Sequence, residues 1–278
     1  MGFFGRHKDR LFKPTSGKNP NYRIITIEEP LSLAAESYRR VKTSLEFVNV
    51  DKHPKVIQVC SSVQGEGKTT TVLNIAATYA EDGKKVLVVD LDFRRPKLHR
   101  AFHVENKRGI TDVLVGNIEL KDAIKYGEDG IDCLNRGSKV PFPTAMLGSD
   151  NMKVLFKELR KLYEYIIVDC PPILAVSDAT IISKVCDGCI FVISQSKTEK
   201  GAAKESVKVL RDNKVNILGC VFTGITEKGS NLYSSKYKYY YQNYYGRDTS
   251  PNTINNGNNH NGVIEEDDDK PEVKSGGD

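Results

Sequence analysis

Five runs of continuously apolar, largely β-branched residues restrict the fold of this chain more than any other feature. They are KVIQVCS (55–61), KKVLVVD (84–90), YEYIIVDC (163–170), GCIFVIS (188–194) and NILGCVF (216–222). Continuous rather than alternating apolar character suits strands that are covered on both faces. The stretches between them predict helices at residues 68–81, 151–163, 178–185 and 199–213. The alternation predicts an α/β fold with a doubly wound, mostly parallel sheet, and it leaves the strand order open.

Changes of composition along the chain predict four regions. Residues 1–27 form a basic N-terminus that we expect to be flexible, and residues 28–228 form the folded domain. Residues 229–246 contain a tyrosine cluster, and residues 247–278 form an acidic tail with too few large apolar side chains to fold. The folded domain begins with a predicted helix after Pro30, whose apolar stripe consists of Leu33, Val41, Leu45 and Val48.

Composition excludes several classes of protein. No apolar run approaches the roughly 20 residues that a membrane-spanning helix needs, and the N-terminus lacks the pattern of a secretory signal. The six scattered cysteines are typical of reduced, structural thiols, which favours a cytoplasmic location. A net charge of +5 is too small to indicate a nucleic-acid partner, and we expect none.

The segment QGEGKTTT follows the first apolar run and opens a predicted helix. In that context the pattern indicates a P-loop, in which backbone N–H groups cradle phosphates, a lysine reaches the outer phosphates and a hydroxyl binds Mg²⁺. Ser62 occupies the place of the usual first glycine. The predicted nucleotide-binding residues are Gln64, Gly65, Glu66, Gly67, Lys68, Thr69 and Thr70.

Acidic residues follow two other predicted strands. Asp90 and Asp92 end VLVVDLD, and Asp169 ends YIIVD, in the position of a Walker B carboxylate. Since the carboxyl ends of parallel strands meet at one edge of the sheet, these acids and the P-loop predict a Mg²⁺–ATP site. Each motif alone also fits a bland structural role, as a glycine turn or a helix cap. The predicted metal ligands are Thr69, Asp90 and Asp169, and the catalytic set is Lys68, Asp90, Asp92 and Asp169.

These motifs and the tyrosine cluster together resemble the bacterial tyrosine kinases of capsule and exopolysaccharide synthesis. The likeness spans about residues 28–245, with a modified Walker A at 62–69, a Walker A′ at 88–94 and a Walker B at 166–172. The segments LDFRRPKLHRAF and VPFPTAMLGSDNM add to it. The resemblance implies a P-loop fold of the deviant Walker type, which is shared with partition ATPases. Those ATPases carry a signature lysine where this chain has Val63, and this difference favours the kinase.

The resemblance implies autophosphorylation of the tail. The acceptors would be Tyr233, Tyr237, Tyr239, Tyr240, Tyr241, Tyr244 and Tyr245. Lys68 and the loop amides would hold the phosphates of ATP, and Asp92 would accept the phenol proton, although Asp90 and Asp92 could exchange roles. Without a kinase-like domain, a lysine-interleaved tyrosine segment could equally stack on single-stranded nucleic acid.

The resemblance also implies partners. The family forms rings through an ExxRxxR helix. The corresponding residues here are Glu36, Arg39 and Lys42, the last of which departs from the family's Arg, and the bare pattern would assign them to a solvated helix face. We therefore expect an octamer-like homo-oligomeric ring that is held at the membrane by a separate activator subunit. A tyrosine phosphatase and polysaccharide-synthesis enzymes as substrates complete the expectation. The alternatives are a positioning ATPase of the partition type and a nucleotide-dependent scaffold.

Overall fold

The computed structural model describes residues 11–12, 22–48, 53–127 and 130–225. The strands in these residues are β1 (Leu11–Phe12), β2 (Val56–Ser61), β3 (Val86–Asp90), β4 (Tyr126–Gly127), β5 (Ile131–Leu134), β6 (Tyr165–Asp169), β7 (Gly188–Ser194) and β8 (Ile217–Thr223). The α-helices are α1 (Ile25–Glu28), α2 (Leu33–Phe47), α3 (Lys68–Glu81), α4 (Leu98–Ala101), α5 (Ile110–Leu114), α6 (Leu120–Ala123), α7 (Pro143–Leu147), α8 (Asp150–Leu162), α9 (Asp178–Ile182) and α10 (Lys200–Asp212). A single 3₁₀ turn, Ser183–Val185, follows α9.

The main sheet has six strands in the order β5-β3-β6-β2-β7-β8, and every neighbouring pair is parallel. Because the strands run in one direction, their carboxyl ends share one edge, where open α/β sheets bind ligands. The small sheet pairs β1 with β4. The predicted mostly parallel sheet is thus confirmed.

Each face of the main sheet carries its own apolar core. On one face, Phe156 and Leu159 of α8 pack into a cluster with Leu210 of α10. On the other face, Leu73 and Ala76 of α3 belong to a second cluster. Helices on both faces explain why the central strands read as continuous apolar runs, since neither face meets water. The doubly wound class follows directly from this arrangement.

The strand β5 was not predicted from the sequence. It has only four residues, and Asp132 interrupts its apolar character. The carboxylate of Asp132 is buried because it accepts a 2.7 Å hydrogen bond from the hydroxyl of Tyr163. That partner lies 31 positions away, so the local pattern gave no sign of the strand.

The strand β8 corrects the prediction that all five apolar runs are buried. It lies at the edge of the sheet, and among the described strands it pairs only with β7. Cys220, expected to be buried, is exposed, and Phe222 keeps 60% of its surface accessible. An edge strand has a neighbour on one side only, so apolar residues there need not be covered.

The folded part of the chain begins at a lower residue number than the sequence predicted. The predicted boundary between residues 27 and 28 falls inside α1, and Ile24 and Thr26 are buried. The helix α2 begins after Ser32, whose hydroxyl accepts a hydrogen bond from the N–H of Ala35. Its buried residues are Ala35 and Leu45, whereas the expected Val48 lies beyond the helix with 46% of its surface exposed. Among the described helices, none combines the length and apolar character needed to cross a bilayer.

Candidate active site

The predicted P-loop connects β2 to α3 at the carboxyl edge of the sheet. Gly65 and Gly67 adopt φ angles of +84° and +98°, a left-handed conformation that favours glycine. Gly67 is the N-cap residue of α3, and Lys68 and Thr69 begin the helix. Backbone N–H groups at such a helix N-terminus are free to bind anions. The loop therefore has the strand–loop–helix context that the sequence predicted.

Lys68 lies inside the loop rather than in solvent. Only 5% of its surface is exposed, and its Nζ donates to Ser61 Oγ at 2.8 Å and to the Val63 carbonyl at 3.4 Å. Burial lowers the pKa of the Lys68 ammonium, and the nearby Asp169 carboxylate opposes that shift. A desolvated ammonium is well suited to interact with a phosphate, because its charge is poorly screened there.

The acids predicted at the ends of β3 and β6 meet beside this loop. Asp90 and Asp169 are register partners on the two neighbouring strands. Thr69 Oγ1 donates a 2.7 Å hydrogen bond to Asp169 Oδ2, while Asp169 Oδ1 is buried and has no hydrogen-bond partner among the described residues. A hydroxyl and a carboxylate in this arrangement fit the Mg²⁺ shell of P-loop proteins. The described residues contain no cluster of three His, Cys, Asp or Glu side chains able to hold a metal.

Burial dominates the electrostatics of the acids. It raises the pKa of Asp90 to about 8, and the Asp169 charge adds to this while the backbone N–H groups of Leu98 and Lys97 oppose it. Burial also raises the pKa of Asp169 to about 6, against the lowering effects of the Thr69 hydrogen bond and the Lys68 charge. Two buried carboxyls with raised pKa values favour a nearby cation, since a cation would compensate their charge.

Asp90 and Asp92 differ in what they bind. Asp90 accepts three backbone hydrogen bonds, from Asp92 at 3.2 Å, Lys97 at 2.8 Å and Leu98 at 3.0 Å. Asp92 Oδ1 accepts one, from Arg95 at 2.9 Å, and no described residue bonds its Oδ2. Asp90 therefore shapes the loop after β3, whereas Asp92 keeps an oxygen available for an incoming group.

Two of the predicted nucleotide-binding side chains have structural roles. Glu66 is 1% exposed, and its carboxylate accepts hydrogen bonds from the Val63 N–H at 2.8 Å and from the hydroxyl of Thr198. The side chain of Gln64 accepts a hydrogen bond from Arg95. At Gln64 and Glu66 the backbone, rather than the side chain, can contact phosphate. The backbone of Gly65 and Gly67 can do the same. Thr70 lies in the first turn of α3, and its carbonyl accepts a hydrogen bond from the side chain of Asn74.

The segment VPFPTAM, noted from the sequence, contacts the loop after β3. Arg94 Nε donates to Asp178 Oδ2 at 2.9 Å, and Arg94 Nη2 donates to Thr144 Oγ1 at 3.0 Å. Thr144 Oγ1 in turn donates to Asp178 Oδ1 at 2.8 Å. The Asp178 side chain is fully buried, and this triangle fixes the loop that carries Asp92.

Sequence reasoning missed the residues that hold the P-loop from the β7 side. Thr223 Oγ1 donates to the Glu66 carbonyl at 2.6 Å, and Thr198 bonds the Glu66 carboxylate. Thr198 lies between β7 and α10 in a segment that matches no motif, and Glu66 is 132 positions from Thr198 and 157 from Thr223. No local signal could have identified them.

The charged residues predicted for oligomerisation make ion pairs within the chain. Arg39 Nε and Nη2 bond the carboxylate of Glu81 at 3.0 and 3.1 Å, and Lys42 pairs with Asp82. Glu36 lies 3.7 Å from Arg39 on the same helix. In one subunit, therefore, the α2 motif joins α2 to the end of α3. The predicted tyrosine acceptors and the acidic tail lie outside the described residues.

Comparisons with known sequences agree with the site. The AAA_31 family of AAA domains matches residues 54–212. The tyrosine-protein kinase YwqD of Bacillus subtilis is 40% identical over 209 residues, covering 75% of this chain and 88% of YwqD. The tyrosine-protein kinase Etk of Escherichia coli K12 is 30% identical over 230 residues, covering 82% of this chain. The chain spans 32% of the length of Etk.

Solved structures show the same likeness. The kinase domain of Escherichia coli Etk superposes with a TM-score of 0.71 at 29% identity, covering 81% of this chain and 89% of the other. The septum site-determining protein MinD of Pyrococcus horikoshii, complexed with Mg-ADP, gives a TM-score of 0.51 at 26% identity, covering 63% and 72%. The fold is therefore that of P-loop proteins that include both kinases and a positioning ATPase.

Proposed function

The chain belongs to the bacterial tyrosine-protein kinases, and from this premise we propose that it is an ATP-dependent autokinase whose acceptors are its own C-terminal tyrosines, Tyr233 to Tyr245. One observation carries the proposal. The Thr69 hydroxyl and the Asp169 carboxylate lie 2.7 Å apart beside the P-loop, and no residue that the structure describes bonds the buried Asp169 Oδ1. This is the donor set that a Mg²⁺–ATP complex needs.

The chain's residues would then have distinct tasks. The loop N–H groups and Lys68 bind and orient the phosphates, and Thr69 and Asp169 hold Mg²⁺, which neutralises charge on the phosphates when bound. Asp92 accepts the proton of the incoming phenol, which is protonated at neutral pH because its ordinary pKa is near 10. Asp90, predicted as a metal ligand, acts mainly by positioning Asp92 and the loop after β3, although the roles of the two acids could be exchanged.

In this proposal the tail of one subunit enters the active site of a neighbouring subunit. Ten extended residues span about 35 Å, and Tyr233 follows the last described residue, Ile225, by eight positions. Within an octamer-like ring built on Glu36, Arg39 and Lys42, each tail would serve as substrate for the next subunit. Ring contacts would have to extend or replace the pairs that α2 makes with Glu81 and Asp82.

Phosphorylation would act as a switch in this arrangement. Each phosphate adds about −1.5 to −2 charges, so a fully modified cluster repels the anionic ATP site and loosens the ring. A tyrosine phosphatase would reset it. Light scattering tests this step: an oligomer of the same mass before and after phosphorylation would contradict the switch.

The biological setting of the proposal is capsular or exopolysaccharide synthesis and export. A separate membrane subunit would activate the kinase through its cytoplasmic end and keep it at the membrane's cytoplasmic side. Polysaccharide-synthesis enzymes would be its external substrates. These parts rest on the family resemblance.

A positioning ATPase is the second candidate, because the fold also resembles MinD. Val63, in place of a loop lysine, weighs against it. Phosphotyrosine mass spectrometry distinguishes the two when the full chain is incubated with Mg-ATP, alone and with the activator's cytoplasmic fragment. Modification of Tyr233 to Tyr245 that is absent from Lys68→Met supports the kinase. ATP hydrolysis without tyrosine modification would support the ATPase.

A further inference from the structure

A short segment on the β7 side of the P-loop has a fixed shape. We call residues 194–199, which join β7 to α10, the strap. The Ser194 N–H donates to Thr198 Oγ1 at 2.7 Å, and the Thr198 N–H donates to the Ser194 carbonyl at 2.9 Å. The Lys197 N–H also donates to that carbonyl, at 3.3 Å. These bonds close a tight turn that includes Lys197.

The strap is bound to the phosphate loop. Thr198 Oγ1 donates to the carboxylate of Glu66, which is 1% exposed, and that carboxylate also holds the Val63 N–H. From the adjacent strand, Thr223 Oγ1 donates to the Glu66 carbonyl at 2.6 Å. The loop and the strap are therefore one hydrogen-bonded unit, which keeps the backbone of Lys197 at a fixed position beside the loop.

Lys197 extends over the loop. A Cβ placed on Gly65 would lie 3.1 Å from Lys197 Nζ and 3.9 Å from its Cδ. Gly65 also has a φ of +84°, so the lysine packs where the loop has no side chain. Within the described residues the Lys197 ammonium has no hydrogen bond or ion pair, whereas Lys68 and Arg94 at the same edge are both bonded.

The loop itself supplies little positive charge. Residues 62–68 include one cation, Lys68, and one anion, Glu66. Three further carboxylates, Asp90, Asp92 and Asp169, face the same edge. Lys97 lies close enough to lower the pKa of both Lys68 and Asp169. A polyanionic nucleotide at this site would gain from a further ammonium, and Lys197 at the loop's rim is placed to provide it.

We propose that Lys197 is a second phosphate-binding lysine of this site, contributed by the strap, which contacts the outer phosphates of a nucleoside triphosphate across Gly65. The inference rests on the proposed function in one respect, that the site binds ATP. Lysine acts on phosphate as a point charge on a flexible stem, so its contribution depends on charge more than on geometry. Its effect should thus be larger for ATP than for ADP.

The test measures nucleotide affinity rather than activity. Lys197→Ala is compared with Lys200→Ala, which removes an exposed lysine three positions further on, at the start of α10. Isothermal titration calorimetry of the full chain gives the Kd for Mg-ATP and Mg-ADP at low and high salt. We expect Lys197→Ala to raise the Kd for Mg-ATP about 5- to 10-fold, with a smaller change for Mg-ADP and a weaker salt dependence. Lys197→Arg should stay within about 3-fold of the wild type, because the charge is kept.

Three outcomes would overturn the inference. They are an unchanged Kd for Mg-ATP in Lys197→Ala, an equal rise for ATP and ADP, and the same rise in Lys200→Ala. A rise accompanied by a lower melting temperature of the nucleotide-free protein would also count against it, since that pattern indicates a structural role. A wild-type chain that binds no Mg-ATP would instead refute the proposed nucleotide site itself.

Discussion

The sequence motifs identify two sets of charged residues, one buried and one at the surface. At the carboxyl edge of the sheet, Lys68, Asp90 and Asp169 are at most 5% exposed. On α2, the side chains of Glu36 and Arg39 keep 28% and 31% of their surface accessible. Buried charges are stable only with specific partners, so a motif there predicts geometry. A surface charge can pair within its chain or across an interface. A motif at the surface therefore predicts which residues form pairs but not which partners they bind.

The largest effect that would separate the two sets is expected for Lys68→Met. Loss of the ammonium that reaches the phosphates should reduce tyrosine phosphorylation about 10³-fold, measured as phosphate incorporated per subunit. The nucleotide-free protein should not lose stability, because methionine removes a desolvated charge and Ser61 Oγ still donates to the Val63 carbonyl. Transfer within tenfold of the wild type would show that burial at this edge does not indicate a catalytic role.

The next effect concerns the two acids after β3. Asp92→Asn should slow transfer to tyrosine about 10²- to 10³-fold while ATP binding is kept, since a general base is lost. The Asn oxygen can still accept from the Arg95 N–H, so the loop should keep its shape. Single-turnover transfer and the Kd for Mg-ATP give the two readouts. Unimpaired transfer with normal ATP binding would remove Asp92 as the base and favour Asp90.

How much of the site could be predicted depends on how local its signals are. Lys68, Thr69, Asp90 and Asp169 follow strands, and the strand pattern alone places them at one edge. Thr198 could not be predicted, since its partner Glu66 is 132 positions away. Two features of the fold could not be predicted for the same reason. The strand β5 depends on the contact of Asp132 with Tyr163, and β8 is exposed because it lies at the edge of the sheet.

A smaller effect should appear in the pH dependence of stability without nucleotide or metal. Burial raises the pKa of Asp90 to about 8 and that of Asp169 to about 6, above the usual value near 4. Since the folded state then binds protons more tightly than the unfolded state, stability from these carboxyls is highest below pH 4 and declines as pH rises to about 8. The melting temperature should therefore fall by several degrees relative to Asp90→Asn across that window.

Arg39→Ala is the matched control for this prediction. Between pH 5 and 8 its melting temperature should change by the same amount as that of the wild type, because the substitution removes no carboxyl with a raised pKa. If the melting temperatures of the wild type and Asp90→Asn also change by the same amount with pH, the carboxyl of Asp90 does not destabilise the folded protein when ionised.

The smallest effect is expected on α2. Removing the pair of Arg39 and Glu81 in a double-mutant cycle should reveal a coupling of about 0.2–1 kcal/mol that weakens with salt. Chemical denaturation at low protein concentration measures this in the subunit alone. Oligomer mass by light scattering then gives the second readout. If Arg39 serves the ring, Arg39→Ala lowers the mass, whereas Glu81→Ala, which removes the Glu81 carboxylate from Arg39 and leaves its contacts with Glu36 and the Pro30 carbonyl, maintains or raises it.

The two variants thus distinguish what the surface motif does. Equal loss of mass in Arg39→Ala and Glu81→Ala would mean that the ion pair positions α2 for assembly by other contacts. Unchanged mass in both would mean that the motif only joins α2 to α3, as seen in the single chain. Lys42→Arg sharpens the choice, because arginine can bond a carboxylate with two parallel N–H groups and lysine cannot. A more stable ring in that variant would show that Lys42 faces a neighbouring subunit despite its bond to Asp82.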